Sequence, residues 1–374
     1  GYVGQNMGKK APAEEQASNV PNQANLGRYN QLKPITPEEA VDEYLESRYE
    51  LTDKTIEEYR RKLGYFVEHC ERIELENLNE LSGREIASFE KWRRSNPADN
   101  TDSLANKTMK DDLYLFRAFV EYLEKIEAVS QGTAKKVDIP ELSGDEGVKN
   151  VELELERLED IVEYLEKYKY GSCLHVLFAI IAECGRRLGG VNSLDLSDAH
   201  LEGSNPYLRF THHDDGCTRL KNEAASEEEV NISKGLAKVI QDYIEQNRLE
   251  KTEGSREPLL TTRYGRLTKT TIRSYFYRWS RPCKIGKECP EGRAEETCKA
   301  ASSKDHASKC PVSEATHAAR HGYITEMLRQ GVSKELLSDR CDVSEEVLEK
   351  HYDERTTEEK RKHRRKELEE KGGL

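Results

Sequence analysis

The sequence contains no run of eighteen apolar residues, so no segment reads as a membrane-crossing helix. Its opening, GYVGQNMGKK, has no apolar signal core, and the expected location is the cytoplasm. No glycine-rich loop follows a strand, which argues against the common nucleotide-binding designs. Positive charge is also short: 59 Lys and Arg face 71 Asp and Glu, a net charge of −12. That balance counts against a phosphate-rich partner only on average, because a binding cleft needs local positive charge alone. It is also one route to solubility at high salt, so a halophilic origin is expected. Hydrophobic residues make up 35%, and over 374 residues that suffices for two modest cores.

What is present falls into segments. Residues 1 to 35, rich in Asn, Gln, Ala and Pro without periodicity, read as a disordered lead-in. At TPEEAVDEYLESR, Thr36 can cap a helix with Pro37 in its first turn, and Val41, Tyr44 and Leu45 share a face. The next stretch repeats the scheme with Ile56, Tyr59, Leu63, Phe66 and Val67. SGREIASFEKWRRS makes a third helix, and Met109, Leu113, Phe116, Val120 and Leu123 align in a fourth. Residues 36 to 130 are therefore expected to form a small four-helix domain. Residues 131 to 152 read as a linker, and a second, mixed α/β domain is expected over 153 to 355. In it, CLHVLFAIIAEC is apolar nearly all round and belongs in a core, while YLRFTH and EEEVNIS alternate like short strands. The chain thus reads as mainly α with a small β-sheet. Its last stretch, residues 356 to 374, is a charged tail.

Three stretches carry chemistry. In ECGRRLGGVNSLDL, Gly185 ends or bends the core helix, so Arg187 emerges where scaffold meets solvent, a suitable mount for anion binding. His317 and Arg320, three apart in ATHAARHG, share a helical face on which one holds phosphate oxygens and the other moves a proton. Tyr352 in EKHYDER offers a phenol, a covalent nucleophile when cations stabilise the electrophile, and is expected to be exposed. Singly, each also fits a solvated helix face, a turn arginine or a packing tyrosine.

Taken in order, CGRRLGG, HAAR and the tyrosine about thirty residues later resemble the boxes of the tyrosine recombinases, or phage-type integrases. Haloarchaeal chromosomal and viral integrases look closest. The resemblance covers roughly residues 36 to 355. It implies an N-terminal core-binding domain on DNA and a catalytic domain that breaks and rejoins DNA without a catalytic cofactor. Tyr352 attacks a phosphodiester to give a 3′-phosphotyrosyl link and a 5′-hydroxyl, Arg187 and Arg320 clamp the non-bridging oxygens, and His317 assists proton transfer. Lys221, before the second strand, is the implied general acid, with Arg219 its rival. The partners implied are double-stranded attachment sites, bound by a protein that is monomeric in solution and a homotetramer across two duplexes, with no membrane. The setting implied is viral or plasmid integration and excision. A non-catalytic DNA-binding protein on this scaffold and a type IB topoisomerase-like activity are the alternatives.

Two positions depart from the family pattern. Gly190 stands where an acidic residue often follows the first arginine, so Arg187 must be oriented by something else. Asp342 or Val343 occupies the place of a His or Trp before the nucleophile, leaving His321 as a substitute phosphate contact. Separately, Cys283, Cys289, Cys298 and Cys310 crowd a segment, 281 to 312, with almost no apolar residues. Four thiolates around a structural Zn²⁺ would staple it, with His306 a spare donor, fix the approach to the His317 helix, and bring Lys284, Lys287 and Arg293 to a DNA-facing surface.

Overall fold

The computed structural model describes residues 32–97, 104–142, 153–214, 218–352 and 357–370. The chain divides into two compact units, Gly1–Lys149 and Asn150–Leu374.

In the first unit, α1 (Pro37–Glu46) starts where the sequence says it should. The Thr36 side chain accepts from the Glu39 N–H, and the Glu39 carboxylate accepts from the Thr36 N–H, a closed capping box. Helices α2 (Asp53–Arg72), α3 (Gly83–Ser95) and α4 (Asn106–Lys125) follow, each with its apolar stripe turned inward. Leu63, Phe66, Met109, Leu113, Phe116, Val120 and Leu123 are all buried, whereas Ile56, Tyr59 and Val67 pack at the margin. The centre is aromatic, with Phe66 and Phe116 ring centroids 4.7 Å apart. Among the polar groups buried in this unit, His69, 2% exposed, packs against Phe89 and Trp92 with neither ring nitrogen hydrogen-bonded.

Both ends of this unit differ from expectation. The lead-in was placed at 1 to 35, but Ile35 packs on the core and the Lys33 N–H donates to the Glu127 carbonyl at 2.8 Å. The rest of the lead-in lies outside the described residues. Likewise the linker does not begin at 131. Ala134 and Val137 are buried in the helical core, and Arg117 donates to the Val137 carbonyl at 2.5 Å. Two well-spaced apolar side chains sufficed to dock a stretch whose composition reads as spacer. Residues 143–152, the remainder of that linker, lie outside the described residues.

The second unit is built on α6 (Cys173–Cys184), buried on most sides, with α5 (Leu155–Lys169) against it. A three-stranded antiparallel sheet, β1 (Ala199–His200), β2 (Tyr207–Phe210) and β3 (Glu228–Asn231), pairs Leu208 with Val230 on its covered face. Short α7 (Leu188–Ser193) precedes it, and α8 (Lys234–Gln246), the hairpin β4–β5 (Thr261–Thr262, Gly265–Arg266) and α9 (Lys269–Trp279) follow. The cysteine-rich segment carries short turns and α10 (Lys299–Ser302). Then come α11 (Thr316–Arg329), α12 (Lys334–Cys341), α13 (Glu345–His351) and a charged α14 (Thr357–Glu370). No described helix is long and apolar enough to cross a membrane.

Two glycines allow these elements to meet. Gly185 closes α6 in the left-handed region (φ 60°), and a Cβ there would stand 2.3 Å from Tyr323 of α11. A Cβ on Gly322 would stand 1.9 Å from the Leu153 carbonyl oxygen. The cysteine-rich segment is tied off at its base. The Glu314 N–H donates to Ser280 Oγ at 2.7 Å, and Arg157 bridges the Ser280 and Val312 carbonyls at 2.8 and 3.0 Å. The approach to α11 is therefore fixed by these bonds, where the sequence suggested that the folded insert would do it.

Candidate active site

The first arginine is set by the αL turn. After Gly185, the two arginines of CGRR diverge. Arg186 is 3% exposed, packs over the Phe210 ring and donates to the Ser226 carbonyl at 2.6 Å, a structural role. Arg187 caps α7 with extended backbone and keeps its side chain 29% exposed. Its Nη1 pairs with the Asp342 carboxylate.

Arg320, on α11, is 2% exposed. A guanidinium so deep needs its donors met. Nη1 donates to the carbonyls of Gly185 (3.0 Å) and Cys341, and Nη2 donates to that of Asp342 at 3.2 Å. Burial, then repulsion from Arg187, pulls its pKa below the ordinary guanidinium value, while Cys341 and a side-chain hydrogen bond with Tyr352 act the other way.

His317, one turn earlier, has an exposed side chain. Its pKa is lowered, first by partial desolvation, then by the positive charges of Arg320, His321, Arg187 and Lys221. Those four groups thus share one electrostatic neighbourhood. Lys221 itself is exposed on the connection between β2 and β3, while its rival Arg219 is paired with Glu223. The Arg219 carbonyl would lie 3.8 Å from a Cβ on Gly189, so this connection runs close along α7.

Tyr352 ends α13. It is 5% exposed, contrary to the exposed phenol expected of a nucleophile. The ring is held in the small core formed by Leu337, Val343 and Leu348, and its centroid lies 4.7 Å from that of His321. His321, 7% exposed, has Nδ1 3.3 Å from Thr325 Oγ1. It packs against the Tyr352 ring, where the sequence suggested a substitute phosphate contact. Burial holds the Tyr352 ring against His321, the residue that follows Arg320 on α11.

Sequence reasoning underrated Asp342. It sits at the end of α12 with φ 55° and ψ 62°, and the Val343 N–H returns to the Ser338 carbonyl at 3.1 Å, the six-to-one bond of a Schellman turn. Its Oδ1 accepts from Ser226 Oγ at 2.9 Å and Asn222 Nδ2 at 3.4 Å. No local pattern announces these contacts, since Arg187 and Asp342 are 155 positions apart.

The cysteines stand apart from this site. Neighbouring Cys289 and Cys310 thiols contribute to raising the pKa of Cys283, behind burial. Among the described residues, the one set of three potential ligands with atoms within 4.8 Å is Asp195, Asp198 and His213, so Cys283, Cys289, Cys298 and Cys310 form no such set as folded. Both carboxylate oxygens of Asp195 are already bound by Arg256 and Arg266. The basic residues of the insert are engaged as well: Lys287 pairs with Asp160, Lys284 lies over Trp279, and Arg293 sits 4.0 Å from Glu291.

A helical unit followed by a mixed unit, with two arginines, a histidine and a tyrosine converging, defines the tyrosine-recombinase fold. Residues 40–127 match the family described as phage integrase, N-terminal SAM-like domain. The Tn1549 transposon integrase in complex with a circular intermediate DNA is similar over 89% of this chain and 99% of its own (TM-score 0.62, 12% identity). The XerH recombinase bound to its difH substrate is similar over 92% of this chain and 89% of its own (TM-score 0.58, 16% identity). A lambda integrase dimer bound to a COC′ core site covers 91% and is itself covered over 83% (TM-score 0.58, 13% identity). No curated protein matches in sequence. The first unit thus carries the phage-integrase SAM-like domain, and the whole chain has the recombinase architecture.

Proposed function

We propose that this protein is a site-specific DNA recombinase that cleaves and rejoins DNA through a covalent tyrosyl intermediate. The observation that carries the reading is that Tyr352 packs on His321, next to Arg320 on α11, while Arg320 and Arg187 are joined through Asp342. The Tyr352 oxygen attacks the scissile phosphorus, a P–O bond to tyrosine forms, and the P–O5′ bond breaks. Arg187 and Arg320 take the charge that builds on the non-bridging oxygens. His317, held neutral near pH 7 by its lowered pKa, accepts the phenolic proton. Lys221 gives a proton to the leaving 5′-oxygen. The phosphodiester energy stays in the phosphotyrosyl bond, so no nucleotide cofactor is needed.

Double-stranded attachment sites of a viral or plasmid element are the proposed substrate, handled inside the cytoplasm. Assembly into a tetramer on two duplexes, with α14 reaching a neighbouring subunit, is part of the same proposal. A suicide duplex carrying the attachment site tests it. Wild type should form a denaturant-resistant adduct, and Tyr352→Phe should bind without forming one. An adduct formed by Tyr352→Phe would remove the nucleophile assignment, and sequence-independent relaxation of supercoils would favour a topoisomerase. Burial of Tyr352 is the feature that a purely DNA-binding scaffold would share, and the adduct assay separates the two readings.

A further inference from the structure

We infer that Asp342 is the positioning residue of the site, supplying from the turn before the nucleophile the carboxylate that orients Arg187 and ties it to the Lys221 segment. The inference rests on the recombinase reading for its consequence in cleavage, and on geometry alone for the bridge.

Arg187 stands on a mobile stem, and one guanidinium placed about 1 Å off costs on the order of a hundredfold in rate. Something must hold it. The residue three positions later, Gly190, has no side chain to do so. A Cβ there would lie 3.2 Å from Phe210 Cδ1, and Arg186 already stacks on that ring. A side chain at 190 would thus need Phe210 to give way, and in this chain the carboxylate comes from elsewhere. It comes from Asp342.

One carboxylate serves both sides. Oδ2 takes Arg187 Nη1, and Oδ1 takes Ser226 Oγ and Asn222 Nδ2, both within five residues of Lys221. The main chain of the same residue receives Arg320 Nη2. Arg187 Nη1 is held by Asp342 while 29% of its side chain stays exposed. Asp342 adopts the left-handed conformation that Asp and Asn tolerate best after Gly, which directs its side chain back over the turn. The whole arrangement makes Asp342 the point where all three boxes meet.

Asp342→Asn tests this, because asparagine keeps the αL turn and the size while losing the charge. Cleavage of the suicide duplex by Asp342→Asn should fall roughly tenfold or more with unchanged melting temperature. In an Arg187→Ala background the same change should add less than about twofold, since a residue acting through another shows full coupling in a double-mutant cycle. Independently, ¹⁵N NMR of the Arg187 guanidinium should show a slowly exchanging, bridged resonance in wild type that disappears in Asp342→Asn. Cleavage at the wild-type rate, additive losses in the double variant, or identical guanidinium spectra would each overturn the inference. If wild type makes no adduct at all, the recombinase reading falls, and the spectra still decide the bridge.

Discussion

Arg320 Nη1 donates to the Gly185 carbonyl oxygen at 3.0 Å, joining the helix that carries His317 to the turn that presents Arg187. The second arginine is thus part of the frame for the first. Removing it takes away the partner of three carbonyls and, on the proposed mechanism, a transition-state donor.

Arg320→Ala should therefore lose stability and activity together. Each buried acceptor left unpaired costs about 1–3 kcal/mol. Chemical denaturation should show at least that loss, and cleavage should drop on the order of a hundredfold or more. Full stability with lost cleavage would mean that the carbonyl bonds contribute little.

Gly185→Ala places a methyl group where Tyr323 already lies and forces alanine into φ 60°. The left-handed conformation alone costs about 1–2 kcal/mol. A lower melting temperature and weaker cleavage should both appear. The double variant Gly185→Ala, Tyr323→Ala should recover part of the steric loss and none of the backbone strain.

Acid should loosen the helical unit through His69. Its pKa lies below the ordinary value of 6.5, because burial resists the charged ring and Arg72 repels it. Unfolding frees the imidazole to take a proton at its ordinary pKa, so stability is complete above about pH 6.5. It is lost as pH falls from there through the depressed folded value, at up to about 1.4 kcal/mol per pH unit for one group. His69→Phe should flatten that acid limb in denaturation curves measured from pH 7 to 5. An unchanged slope would assign the acid sensitivity to other groups.

Zinc remains a proposal for the cysteine-rich segment, whose four thiols form no ligand set as folded. Metal analysis of protein purified without chelator should find about one zinc per chain, lost in Cys289→Ser. A content near zero would leave the segment held by hydrogen bonds such as Arg281 to the Ala300 carbonyl at 2.6 Å.

The helices were legible because their apolar residues recur at helical spacing and their caps are conventional: Thr36 with Glu39, and Ser82 with Glu85, both close as the pattern requires. Arg187, His317, Arg320 and Tyr352 were legible as an ordered set. Other features were hidden for physical reasons. Ala134 and Val137 dock in a stretch too short to show a period. The burial of Tyr352 depends on Leu337 and Leu348, contributed by helices of eight and seven residues. Asp342 acts through a turn conformation and a partner distant in sequence, and neither leaves a spacing to read.

The pinched base of the cysteine-rich segment has a consequence for changes of length within it. Because Ser280 and Glu314 are bonded directly, the chain leaves and rejoins the second unit at one spot, like a side branch from a stem. A change of length at the exposed middle of such a branch leaves the Ser280–Glu314 bond and the Arg157 bridge in place, and with them the start of α11.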